Sequence, residues 1–347
     1  MDILALDLGK YKTMFCRYDS MSGEHEFGKI KTTPQQIHDL IVEMEPDRVV
    51  LEICTSAGWV VDIARGLDKE VEVANPLQEA WRWKNVKRKN DKEDALKLGK
   101  LSAMNQLPTV HIPQYPIRQQ RALIQYRHKL TVRRTQIKNT IRAIFVREGI
   151  AIPSGKELWT KAGVSWLAEQ ACPIEEVSDV CQLWQGQLHT ELQMLGSVTK
   201  AIESVEKKLN KLAASNQDIQ RLQTIAGVGP RLAKALVAFL DDPHRFKSSK
   251  QVGSYVGLTP RQYQSGLSEL QGRISGQGNK LLRTLLVEIS WISLRYNPWA
   301  RETYDRLLRG SPSRKNIAIV AVARKLLVRC WAMLRDKQDW RYGKEAA

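Results

Sequence analysis

The sequence predicts an α/β plus α protein: a mixed-sheet domain, then central coiled-coil helices, then a mostly helical domain with a helix–hairpin–helix-like element. Three observations carry this. Over residues 1–107 short apolar runs alternate with helix-period segments. Over 188–212 Leu and Ile recur every seventh residue. From 216 onward apolar helical segments are punctuated by glycine turns. The expected domains are 1–107, 108–215 and 216–347.

Ile3–Leu8, Met14–Tyr18 and His25–Lys31 read as three consecutive short strands. Pro34–Met44 then reads as helix, Arg48–Glu52 as strand, Gly58–Leu67 as helix and Val71–Ala74 as strand. A polar helix from about Leu77 to Met104 closes the domain. A meander followed by alternating helix and strand implies a mixed sheet, whose ligands gather at carboxyl ends of strands. Pro108 and Pro113 mark a linker. Tyr115 to about Glu148 is a basic helix with Leu123, Leu130, Ile137 and Ile144 in heptad spacing. Residues 150–180 are irregular. Leu188, Leu195, Ile202 and Leu209 then form a seam, with Val198, Val205 and Leu212 beside it. The two heptad helices either fold together as a hairpin or zip to another protomer. Gly227-Val-Gly229-Pro230 between apolar segments forms the hairpin-like turn.

The net charge of +17 is unevenly placed. Residues 1–107 hold 16 Lys and Arg against 18 Asp and Glu, and the remainder holds 38 against 19. A basic body of this size suits a polyphosphate partner. The five cysteines form no C-x-x-C pair and read as reduced thiols of a cytosolic protein. No apolar run approaches the length of a membrane span, which argues against a membrane partner.

Four acids stand out against this background. Asp7 ends the first apolar run before Gly9, and Glu52 ends Val49-Val50-Leu51. Asp91 and Asp94 are three apart on a helix, so both carboxylates share a face. Two strand-end acids facing a helical pair make an oxygen-rich pocket suited to Mg2+ or Mn2+, and paired metals of that kind drive displacement at phosphodiesters.

Candidate phosphate contacts line the basic helix at Arg118, Arg121, Arg127, Arg133, Arg134, Lys138 and Arg142. Others are the glycine turn at Gly227, Gly229 and Arg231, and Arg261, Arg273 and Lys280 further on. Arg314 and Lys315 are further backbone contacts. Trp81 and Trp83 beside Lys84–Lys89 suit stacking on single-stranded nucleic acid or RNA, and equally an ordinary half-buried helix. Gly257–Gly266 reads as a loop, exposing Ser265 near Arg261. A serine nucleophile needs cations to stabilise developing charge, and a plain Ser-Gly turn is the bland alternative.

Asp7, Glu52 in Leu-Glu-Ile-Cys-Thr-Ser-Ala-Gly-Trp59 and the Asp91/Asp94 pair before Ala95 resemble the DEDD transposases of the IS110 insertion-sequence family. The order continues through Ile225-Ala-Gly-Val-Gly-Pro230, Arg245-Phe, Tyr255-Val-Gly-Leu-Thr-Pro260, Ser265-Gly266, Arg273-Ile and Gly278-Asn, which is similar to that family's carboxy-terminal domain. The resemblance implies a RuvC-like, ribonuclease-H-type first domain and a site-specific DNA recombinase. It implies metal ligands at Asp7, Glu52, Asp91 and Asp94, and a nucleophile at Ser265 that forms a phosphoserine with DNA. It also implies a structured non-coding guide RNA (the bridge RNA), double-stranded donor and target DNA, dimers that pair into tetramers, and a place at the nucleoid in a prokaryotic cytoplasm. Asn90 stands where the family often has Thr or Ser, Glu93 is a competing acid, and Ser268 and Ser275 are rival nucleophiles.

Three other functions compete. An actin-like sugar or acetate kinase shares the Asp7-Leu-Gly start, but a second Asp-x-Gly loop and a glycine-rich nucleotide site are missing from the sequence. A RuvC-like hydrolytic nuclease or Holliday-junction resolvase would use the four acids without serine chemistry. A non-enzymatic nucleic-acid scaffold would use neither.

Overall fold

The computed structural model describes residues 1–76, 90–265 and 268–342, so Trp81, Trp83, Lys84–Lys89 and Gly266 lie outside the described residues. Two compact units divide the chain, Met1–Arg118 and Gln119–Ala347.

The first unit is built on one five-stranded sheet. Its strands are β1 (Asp2–Leu8), β2 (Lys12–Asp19), β3 (His25–Lys31), β4 (Arg48–Glu52) and β5 (Glu70–Ala74), in the order β3-β2-β1-β4-β5. The first three run antiparallel, and β4 and β5 join parallel to β1. The apolar runs are buried on both faces, as central strands of mixed sheets require. Leu4, Leu6, Val49, Leu51 and Val73 face α1 (Pro34–Met44) and α2 (Ala57–Gly66). Ile3, Ala5, Cys16, Val50 and Ala74 face α3 (Asp91–Ala103).

The meander, α1, β4, α2 and β5 fall where the sequence puts them, with ends shifted by one or two residues. The polar helix expected from about Leu77 falls in part on residues 77–89, which lie outside the described residues. Asn90 is extended (φ −135°, ψ 121°), and its side chain accepts from the Lys92 amide at 3.1 Å. A carboxamide that takes up an orphan amide ends the helix as its N-cap, so α3 starts at Asp91. Ser and Thr cap in the same way, which gives the Asn90 departure a conservative physical meaning. The proline-marked segment is also docked: Asn75 N donates to Pro108 O at 2.7 Å, Val110 N donates to Val73 O at 2.8 Å, and Ile112 is buried. It covers the open edge of β5.

From Tyr115 to Arg147 runs α4, which enters the second unit after Arg118. There α5 (Lys161–Glu169) leads to α6 (Leu183–Ala213). The seam residues Leu188, Leu195, Ile202 and Leu209 are all buried. Arg127 pairs with Glu206, and Arg147 Nη2 donates to Gln187 Oε1 at 3.1 Å. Partners at both ends in reversed order make α4 and α6 an antiparallel hairpin within the chain, one of the two pairings the heptads leave open.

Then come α7 (Gln217–Gln223), α8 (Pro230–Leu240), α9 (Ser249–Val256), β6 (Pro260–Ser265), β7 (Ser268–Ile274), α10 (Lys280–Tyr296), α11 (Pro298–Leu308) and α12 (Lys315–Asp336). Their core includes Leu232, Leu236, Leu282, Leu286, Val322, Leu326 and Leu327. Residues Pro260–Ser265 and Ser268–Ile274 form a two-stranded antiparallel ribbon, where the sequence suggests a loop up to Gly266. Pro260-Arg-Gln-Tyr-Gln-Ser265 is almost wholly polar, so no apolar alternation marks it as a strand. The signal present was the two-residue spacing with glycine between Ser265 and Ser268.

Candidate active site

The site begins with strand parity. Parallel pairing sets Leu6 beside Leu51, so Asp7 and Glu52 follow one residue later at the ends of neighbouring strands. Side chains alternate between faces. Asp7 therefore shares the face of Ile3 and Ala5, and Glu52 shares that of Val50, which is the face α3 covers.

Helix direction completes the arrangement. Arg48, at the start of β4, donates from Nη1 to Ser102 Oγ at 3.1 Å in the last turn of α3. Gly99 lies over the middle of β1, where an added Cβ would stand 3.8 Å from Ala5 Cβ. The helix thus runs against the strand. Ser102 back to Asp94 covers about 12 Å at 1.5 Å per residue, and Arg48 to Glu52 covers about 13 Å at 3.3 Å per residue. Asp94 arrives at the level of Glu52. Asp91 and Asp94 continue the stripe of Ala95, Leu98 and Leu101 that meets the sheet. Both stand in the first turn of α3. Glu93 is exposed and off that stripe.

Lys97 is the residue the sequence reading missed. Burial pushes its pKa down, while Asp94 and Glu52 pull it back up. One ammonium therefore feels carboxylates from both α3 and β4. The signal was available: Lys97 follows Asp94 by three, on one helix face.

Among the described residues, no three acidic, His or Cys side chains close on a common point as metal ligands do. The donors nonetheless fit a divalent cation in kind, being four hard carboxylates. Asp94 and Glu52 also act together on one ammonium, both favouring its charged form against the larger effect of burial.

Ser265 ends β6 and is the register partner of Ser268 across the ribbon. Ser275 lies at the opposite end, where its amide donates to Thr259 O at 2.8 Å. The candidate phosphate contacts divide into two groups. Arg118 bonds Asp62 and Pro113 O, Arg121 donates to Ala238 O at 2.7 Å, and Arg127 holds Glu206. Arg142 donates to Gly155 O at 2.8 Å, and both it and Lys138 lie over the Trp159 ring. Arg261 donates to Ser275 O at 3.4 Å. Arg133, Arg231, Arg273 and Lys280 are exposed, and Arg134 is half-buried. Gly227 and Gly229 form the turn between α7 and α8.

Residues 4–148 match the family model for DEDD transposases of the IS110 type, and residues 219–305 match that of the transposase IS116/IS110/IS902 family. The chain belongs to the IS110 family of DEDD transposases. It is similar to the transposase for insertion sequence element IS1111A of Coxiella burnetii, with 28% identity over 98% of this chain and 92% of that one. A probable family 20 transposase of Pseudomonas aeruginosa is 25% identical over 99% of this chain and 100% of its own. The pilin gene-inverting protein of Moraxella lacunata is 31% identical over 42% of this chain and 45% of its own. Among solved structures, T. thermophilus RuvC in complex with Holliday junction substrate matches 32% of this chain and 99% of its own at 14% identity, with a TM-score of 0.24. An IS110-family transposase is a DNA-rearranging enzyme, and the DEDD acids imply a divalent-metal requirement. No helix among the described residues is long and apolar enough to cross a membrane.

Proposed function

We propose that this transposase is a site-specific recombinase that cuts and rejoins DNA through a phosphoserine at Ser265, guided by a structured RNA from its own element. The observation that carries the reading is order: the region 4–148 contains Asp7, Glu52, Asp91 and Asp94, and the region 219–305 contains Ser265. The sheet order suits a RuvC-like domain of ribonuclease-H type. Asp7, Glu52, Asp91 and Asp94 would hold Mg2+ (or Mn2+), which supplies positive charge to a phosphodiester during displacement. Ser265 Oγ attacks a backbone phosphorus and displaces one deoxyribose hydroxyl, leaving a phosphoserine ester. Attack by a second DNA hydroxyl breaks that ester, restores the phosphodiester and frees the serine, so no high-energy cofactor is consumed.

Arg133, Arg134, Arg231, Arg273 and Lys280 would neutralise phosphates, and the Gly227–Gly229 turn would offer backbone amides to another. Guide RNA pairing with donor and target DNA would set sequence choice. Dimers meeting as tetramers, at the nucleoid of a prokaryotic cell, would bring one protomer's acids to another's serine.

The test incubates the protein with element RNA, both DNA sites and Mg2+, and resolves covalent adducts on a denaturing gel. An adduct seen in wild type, lost in Ser265→Ala and Asp91→Asn and lost on chelation, is the expected result. Retention of the adduct in Ser265→Ala, with loss in Ser268→Ala or Ser275→Ala, moves the nucleophile. Cleavage without any adduct makes the protein a hydrolytic nuclease or resolvase.

A further inference from the structure

A cavity of about 500 Å³ opens between α9, α11 and α12. Lys250, Arg306, Arg324, Lys325 and Arg329 line it, and no carboxylate does. Among the described residues none of these five cations makes a hydrogen bond or an ion pair. That sets them apart from Arg118, Arg121 and Arg127, whose guanidinium groups are bonded inside the protein. Gathering five like charges costs free energy through mutual repulsion, and among the described residues no lining carboxylate offsets it. The cluster is held in place by packing. Arg329 lies over Trp299 at 4.8 Å and Trp340 at 5.2 Å, and burial pushes its pKa down. An added Cβ at Gly253 would stand 3.6 Å from Arg324 Cδ, so the α9 backbone supports the Arg324 stem.

We infer that this cavity binds the phosphate backbone of duplex DNA. Cations without internal partners are matched by closely spaced phosphates, and each phosphate neutralised releases counterions. The partner is duplex and not single-stranded nucleic acid, because unstacked bases need open aromatic faces. Trp299 is the cavity's one aromatic lining residue; it is 8% exposed and already covered by Arg329. Thr259 also lines the cavity and immediately precedes β6. From Thr259 to Ser265 the strand extends about 20 Å. At 3.4 Å per nucleotide, that is about six nucleotides of one DNA strand. The inference rests on the chain acting on DNA, which wild-type duplex binding tests separately.

The experiment measures binding of a fluorescein-labelled random-sequence duplex by anisotropy across a salt series, with a single-stranded RNA of equal length in parallel. Wild type, Arg324→Ala/Lys325→Ala, Arg306→Gln and Arg324→Lys are compared, with thermal melts to check folding. The double variant is expected to flatten the slope of log Kd against log salt by about 2, and Arg306→Gln by about 1, since each lost contact removes about 0.9. Arg324→Lys retains the wild-type slope, and RNA binding is unchanged throughout. Arg306 lies on a different helix and is exposed, so its variant decides the matter even if the double variant fails to fold. An unchanged duplex slope in folded Arg306→Gln overturns the inference. A loss that is equal on RNA, or confined to RNA, overturns the assignment to DNA.

Discussion

Arg48 Nη1 lies 3.1 Å from Ser102 Oγ, joining the first residue of β4 to the last turn of α3. Ser102 Oγ also donates to Glu72 Oε2 at 2.6 Å, and Arg48 Nη2 reaches Glu70 at 3.0 Å. This network at one end of the sheet sets the register of α3, and so the level along the sheet of Asp91 and Asp94 relative to Asp7 and Glu52 at the other.

Removing the hydroxyl tests that linkage. Ser102→Ala leaves a buried guanidinium and a carboxylate each short of a partner, at a cost of about 1–3 kcal/mol. Urea unfolding is expected to show the loss, together with weaker strand cleavage although Ser102 lies far from the acids. Full cleavage in a measurably destabilised variant would show that α3 register is fixed elsewhere.

The two glycines of the α7–α8 turn are predicted to behave oppositely. Gly227 has φ +93°, and an added Cβ would fall 2.6 Å from Ser293 Oγ. Gly227→Ala combines backbone strain with overpacking and is expected to cost roughly 2–5 kcal/mol. Gly229 has an ordinary φ of −83° and nothing within 4 Å of an added Cβ. Gly229→Ala is expected to melt within a degree or two of wild type (roughly 0.5 kcal/mol or less) while weakening DNA binding. Equal melting losses in both variants would remove the distinction.

The cysteines divide by burial. Burial pushes Cys16 up to about 11 and Cys330 up to about 12, against an ordinary thiol value of 9.0. Both stay protonated in the fold at pH values where the unfolded chain ionises. Their contribution to stability is therefore full below pH 9 and is lost as pH climbs through about 11 and then about 12. Cys54 and Cys181 are exposed. Alkylation of native protein at pH 8, read by mass spectrometry, is expected to mark Cys54 and Cys181 and to spare Cys16 and Cys330. Rapid labelling of Cys16 would mean that α3 opens from the sheet.

The first domain was legible because its chemistry sits where its periodicity ends. Apolar runs closing on Asp7 and Glu52 announce both a strand and an acid at its carboxyl end, and the three-residue spacing of Asp91 and Asp94 announces a shared face. The start of α3 at Asp91 is set by the extended Asn90 cap, a stop that the sequence does not mark. The spacing of Lys97 from Asp94 is legible in the sequence, whereas its closeness to Glu52 requires that α3 run against β4. The ribbon at 260–274 was hidden by its polarity, since a two-stranded element with little to bury leaves no apolar alternation. The cationic cavity draws on Lys250, Arg306 and Arg324 from three different helices, and such a convergence exists only in the folded chain.

The ribbon that ends in Ser265 has its footing in two close backbone approaches. An added Cβ would meet Gln277 O at 1.8 Å from Gly257, and Tyr255 O at 2.2 Å from Gly278. Backbone lies against backbone at this root, so it acts as a pivot with a lever of about 20 Å above it. A tilt of only 10° at the root would carry the end of β6 about 3.5 Å, further than the sub-ångström placement that the proposed serine chemistry would demand. The position of Ser265 is therefore decided at Gly257 and Gly278, two glycines at the ribbon's root.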